Sequence, residues 1–136
     1  MKHLRQGIIC LLFSCVVPLQ AQLTVTVSPP KIVAQKAVVP LAMKNNFADT
    51  IESARAVVFL LDEHGKMVNQ MTRWVIGGSN DKPGLPAGAT NAFYFVITAD
   101  KPFTTTNLTT KVTFTRVVLA GGKLANVSKD VQVTQK

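Results

Sequence analysis

From residue 23 onward, apolar and polar positions alternate with a period of two, which predicts half-buried β-strands rather than helices. Leu23-Thr24-Val25-Thr26-Val27-Ser28 is the first such run, and Pro29-Pro30 ends it by removing two ladder donors. The next run, Lys36–Asn45, sets Ala37, Val39, Leu41 and Met43 on one face and Lys36, Val38, Ala42 and Lys44 on the other. Pro40 in its middle predicts an edge strand or a bulge. Residues 45–50 supply a turn. Residues 51–62 follow, ending in Val57-Val58-Phe59-Leu60-Leu61, apolar on both faces and therefore expected at the centre of a sandwich. Asp62-Glu63-His64-Gly65 turns the chain into a strand over residues 66–76.

Residues 77–88 are rich in glycine, proline and polar side chains, and predict either a crossing between sheets or a mobile arm. Residues 89–99 alternate again, with Phe93, Phe95 and Ile97 opposite Thr90, Tyr94 and Thr98. Residues 107–120 carry Leu108, Val112, Phe114 and Val118 on one face and Thr109, Lys111, Thr113 and Thr115 on the other. Arg116 interrupts this pattern and marks a bulge, after which Val117 and Leu119 turn inward, with a buried functional arginine as the alternative. Gly121-Gly122 reads as a two-residue hairpin turn. The last strand, residues 123–134, has Ala125, Val127, Val131 and Val133 on its inner face. Seven strands with no helix longer than a turn predict an all-β fold, a seven-stranded antiparallel β-sandwich of the immunoglobulin or fibronectin-III kind.

The first 21 residues break this pattern. Lys2 and Arg5 precede an apolar run over residues 8–17, Pro18 ends it, and Leu19-Gln20-Ala21 offers a small residue for cleavage. That arrangement predicts a secretory signal peptide over residues 1–21 and one mature domain over residues 22–136. The run is too short to span a bilayer, and no transmembrane helix is expected elsewhere. Leu12-Phe13-Ser14-Cys15 also resembles a lipoprotein box, so a lipid anchor at Cys15 is the alternative processing. Both cysteines, Cys10 and Cys15, fall inside the signal. Cleavage after Ala21 therefore leaves a domain without disulfides, which suits a bacterial periplasmic or extracellular protein.

Removing Lys2 and Arg5 leaves thirteen Lys and Arg against seven Asp and Glu, a net charge of about +6. The basic residues are scattered, so nucleic acid is not an expected partner; anionic glycans or lipid head groups are weaker candidates. No enzyme chemistry, metal site or cofactor is expected. The mature chain has one histidine, His64, no cysteine and no Gly-x-Ser-x-Gly, and its acids sit mainly in turns. Candidate binding residues are Arg73 and Trp74, just before the glycine loop, and Tyr94. Trp74 and Tyr94 are suited to stack on a sugar or anchor a partner, and Trp74 equally to cap the core.

Lys44-Asn45-Asn46, Val58-Phe59-Leu60-Leu61-Asp62 with Gly65, and Leu85-Pro86-Ala87-Gly88 before Phe93 together resemble the FxLYD-type domain of bacterial envelope proteins. Val58 stands where that family has Phe, and Leu61 where it has Tyr. The resemblance spans residues 36–97. It implies an extracytoplasmic β-sandwich and supplies no catalytic residues. The expected function is an exported, non-enzymatic interaction or accessory module of the bacterial cell envelope, acting on an envelope protein. The alternatives are a carbohydrate-binding module for cell-wall or extracellular glycan and a structural subunit of a surface fibre or adhesin.

Overall fold

The computed structural model describes residues 22–79 and 82–136. The predicted signal, including Cys15, lies outside them, as do Asn80 and Asp81. The strands are β1 (Leu23–Val27), β2 (Lys31–Val33), β3 (Lys36–Asn45), β4 (Ile51–Leu61), β5 (Met67–Ile76), β6 (Thr90–Thr98), β7 (Thr109–Leu119), β8 (Lys123–Leu124) and β9 (Val131–Gln135). A 3-10 turn, Ala120–Gly122, joins β7 to β8, and a single helical turn, α1 (Val127–Asp130), precedes β9.

Two sheets pack over one core. In the first, β3 is interior, with β6 along one side and β1 and β2 in line along the other. β9 lies outside β1. The second sheet has the order β5-β4-β7-β8. The alternating apolar residues of β1, β3 and β6 meet those of β4 and β7, and Phe95, Ile97, Val25, Leu41, Val58 and Leu60 are all sealed from solvent. The faces read from the period-two pattern are the faces observed for these strands except at Val118, which was read with Phe114 and which the bulge at Thr115 turns away from the core while Val117 and Leu119 enter it. β4 is interior to its sheet as expected, but Val57, Phe59 and Leu61 are half-buried on its outer face, since no layer covers that side.

The seven-strand, purely antiparallel expectation needs revising. Nine strands form among the described residues, because the chain resumes pairing after Pro29-Pro30 and the last segment splits. Asn126 causes the split: its Oδ1 accepts from the Lys129 amide at 3.3 Å and caps α1. Beyond α1 the chain has crossed to the other sheet, where β9 pairs with β1 in parallel over five residue pairs. Ala125, Val127, Val131 and Val133 still pack against the core, so the inner-face assignment survives the change of sheet.

Pro40 sits in an interior strand, not at an edge or a bulge. Its carbonyl accepts from the Ser28 amide at 3.0 Å, so its missing N–H would also have faced that side. There β1 has ended at Leu41 and β2 has not begun until Val38. The two prolines of the β1–β2 junction leave a gap in the ladder where the third proline can sit.

The bulge expected at Arg116 is present. The β4–β7 register slips between Arg55/Arg116 and Ala56/Phe114, leaving Thr115 as the extra residue, and Val117 and Leu119 are buried beyond it. Gly121-Gly122 belongs to a three-residue rather than a two-residue connection, since Leu119 pairs with Lys123 across it.

The segment between β5 and β6 crosses between sheets. Leu85 is buried and exchanges two backbone hydrogen bonds with Ile51. The crossing is fastened by Asn45, a fully buried polar residue that the sequence reading placed at the junction of a strand and a turn without a long-range role. Its side-chain amide donates to the carbonyls of Leu85 (2.9 Å) and Asp49 (3.0 Å), and its Oδ1 accepts from the Phe47 amide (2.8 Å). Its backbone bonds Gly88 and Ala89 as well. One side chain thus ties the β3–β4 turn to the inter-sheet crossing, forty residues further along.

Candidate binding surfaces

Trp74 lies on β5 opposite Arg55 of β4, whose neighbours Ala54 and Ala56 point into the core. The indole therefore faces outward from the second sheet, half-buried, neither a core cap nor fully exposed. Three contacts fix it. The Arg55 guanidinium lies 5.6 Å from the ring centroid, a cation–π distance. Lys82 donates to the Trp74 carbonyl at 3.0 Å. Gly78 packs so tightly on the indole that a Cβ there would fall inside it, and Gly77 meets the Glu52 carbonyl in the same way. These glycines permit close packing, so this part of the loop is not an adaptable arm.

Arg73 pairs with Ala56 and so leans toward the inner side of an edge strand, with its side chain exposed. Arg73, Trp74, Thr72, Gly78, Ser79 and Lys82 surround an open concavity of about 240 Å3. Tyr94 does not join them. It sits between Phe93 and Phe95, which pack inward, and is 65% exposed on the outer face of the first sheet. The two outer faces of a sandwich point away from each other, so Trp74 and Tyr94 form no shared stacking platform. The alternation of β6 already implied Tyr94's outward direction; the pairing of β5 with the opposite sheet was not legible.

A second surface was missed by the sequence reading. The Thr110 carbonyl accepts from the Gln135 side chain at 3.2 Å, and the Val117 carbonyl from the Ala125 amide at 2.9 Å, so both point away from β4. By strand alternation, with the bulge at Thr115 taken into account, the backbone groups of Val112 and Phe114 point the same way. β8 reaches only Val118 and Leu119, and the chain then leaves for the other sheet. This stretch of β7 edge has no strand partner among the described residues. Beside it lies a groove of about 320 Å3 lined chiefly by Val112, Phe114, Val127, Val131 and Val133. The splitting of the last strand creates this groove, which is why the alternation alone could not show it.

Of the titratable groups, Asp62 is perturbed. Its Oδ1 accepts from the Lys66 and His64 amides, both at 2.9 Å, and these bonds hold its carboxyl below the ordinary value. It organises the β4–β5 turn. His64 is itself exposed beside Glu63. Among the described residues no three of His, Cys, Asp and Glu gather to hold a metal, and no helix is long and apolar enough to cross a membrane.

No family model and no curated protein sequence matches the chain. The fold does match solved structures. A Bordetella pertussis protein described as ApaA superposes with a TM-score of 0.55 at 19% identity, over 79% of this chain and 89% of that one. A structural-genomics target, SoR45, gives 0.54 at 16% identity, over 78% and 80%. At these identities the likeness concerns the fold alone.

Proposed function

We propose that the chain is an exported, non-enzymatic interaction module of the bacterial envelope that takes up an extended partner segment along the free edge of β7. The observation that carries this reading is the outward backbone of Val112 and Phe114 beside an apolar groove. Strand addition gains affinity from main-chain hydrogen bonds and specificity from alternate side chains seated in pockets, and this edge offers both. The edge at β5 is guarded. It has extra residues at Val68 and Val75 that disrupt its pairing and carries the inward-leaning Arg73, all devices that deter strand addition.

The partition of the strands, with β1, β3 and β6 in one sheet and β4 beside β7 in the other, supports an immunoglobulin- or fibronectin-III-like topology. The signal-like first 21 residues and the FxLYD-type resemblance support an envelope location, with Gln22 as the mature amino terminus. An intact mass showing a diacylglycerol on Cys15 would replace that assignment by a lipid anchor.

A photo-reactive residue at Thr113, in the groove, should crosslink an envelope protein, whereas one at Thr26 on the outer face of the first sheet should not. The Val112 and Phe114 amides should exchange with solvent in the free protein and become protected in the crosslinked complex. Equal crosslinking from both positions, or amides already protected in the free protein, overturns the reading. A crosslinked partner that proves to be a second copy of this chain would favour the fibre-subunit alternative.

A further inference from the structure

The outer face of the second sheet carries a feature that strand addition does not use. Arg55 and Arg116 are directly opposite each other across the β4–β7 ladder, both exposed and both on the outer face. Like charges at such positions repel and destabilise a sheet. Neither arginine forms an ion pair among the described residues, where the acids that do pair, Asp49 and Glu63, sit in turns with Lys123 and His64. The bulge at Thr115 is what turns Arg116 outward: without the extra residue, it would follow Phe114 into the core. Thr115 closes the bulge by donating its hydroxyl to the Arg55 carbonyl at 3.3 Å.

Arg55 is also held from the other side, its guanidinium over the Trp74 indole, which Gly78 in turn backs. A pre-positioned guanidinium loses less freedom when it binds a planar anion, and it offers two parallel N–H donors to a carboxylate or sulfate. The row Arg116–Arg55–Trp74 crosses three adjacent strands, about 10 Å at strand spacing, and runs into the concavity of Thr72, Arg73, Ser79 and Lys82. We propose that this row is a binding track for an acidic polysaccharide, with Arg55 and Arg116 taking its anionic groups. The track is elongated, sets two facing guanidiniums beside one indole and the Thr72 hydroxyl, and ends in an open concavity. Those are the features that suit a hydroxyl-rich anionic chain, whereas a membrane surface would call for large apolar side chains that project beside the cations to insert, and on this face Val57 and Phe59, which follow Arg55 along β4, are half-buried in the sheet. The Trp74 ring, occupied by Arg55, orients the cation rather than stacking on a sugar.

Trp74 is the chain's only tryptophan, so its emission reports the site directly. Titrating the full mature protein with polygalacturonate should change that emission saturably, and neutral dextran should not. Arg55→Gln and Arg116→Gln should each weaken binding by about tenfold, the loss expected for a charge-assisted hydrogen bond. Lys101→Gln, which removes the same charge from a distant loop, should leave binding unchanged. Circular dichroism of each variant confirms that the sheets are intact. Equal losses from Lys101→Gln would reduce the effect to net charge and overturn the proposal. So would binding to vesicles of 30% phosphatidylserine in phosphatidylcholine with none to polygalacturonate.

Discussion

Asn45→Asp tests whether one side chain fastens the inter-sheet crossing. The substitution keeps size and shape, and it keeps the acceptor for the Phe47 amide. It removes the two donated bonds and sets a carboxylate oxygen against the buried carbonyls of Leu85 and Asp49. Two buried acceptors left without donors cost about 1–3 kcal/mol each, so a loss of about 3–5 kcal/mol is expected near neutral pH. That is a large share of a typical stability of about 5–15 kcal/mol. In urea, with a slope of about 1–3 kcal/mol per molar, the unfolding midpoint should fall by more than about 1 M.

The pH dependence gives a second, sharper test of the same substitution. Burial and the facing carbonyls raise the new carboxyl above its unfolded value of about 3.9 in the folded state. A folded state that binds the proton more tightly gains stability relative to the unfolded chain as pH falls through that raised value. Protonation also restores one donor. The gap between wild type and Asn45→Asp should therefore narrow on acidification, while Asn45→Ala, which cannot titrate, should show no such recovery. Asn46→Asp, on an exposed neighbour, should be nearly neutral throughout. A loss below about 1 kcal/mol with no narrowing at low pH would refute the claim that Asn45 holds the crossing, since a lost cap or bond of ordinary worth gives that much.

Phe95→Ala and Phe114→Ala, at two nearly sealed core positions, should each cost about 3–5 kcal/mol, and Thr113→Ala on the exposed side of β7 should cost little; equal denaturation midpoints would show the faces to be misassigned. Gly78→Ala should displace the indole, because the added methyl meets the ring and the backbone there has a positive φ, and should shift Trp74 emission toward the red; an unchanged spectrum would contradict the packing described. The Asp62 carboxyl is held low in the folded state, so the stability it contributes is present above its unfolded value near 3.9 and is lost as pH falls through the lowered one; Asp62→Asn should flatten that part of the acid-denaturation curve, and identical acid limbs would show the turn bonds to be unimportant.

What the sequence determined by itself was the local geometry of most strands. Period-two alternation assigns inside and outside wherever one face is buried, because a slip of one residue would exchange the faces, and Ala37, Val39, Leu41 and Met43 read correctly for that reason. The Arg116 bulge was legible for the same reason: strict alternation from Phe114 would carry Arg116 inward and Val117 and Leu119 outward, and an extra residue reverses all three. Partner choice was not legible. Alternation along a strand says nothing about which edge it pairs with, so the parallel docking of β9 on β1, the interior place of Pro40 and the free edge of β7 came from the tertiary structure. Nor did it foretell long-range polar contacts. Asn45 meets Leu85 across forty residues, and Arg55, Trp74 and Arg116 share one row only because three strands register as they do. The binding surfaces are products of register and of chain crossing, which the whole fold settles by satisfying its buried backbone groups.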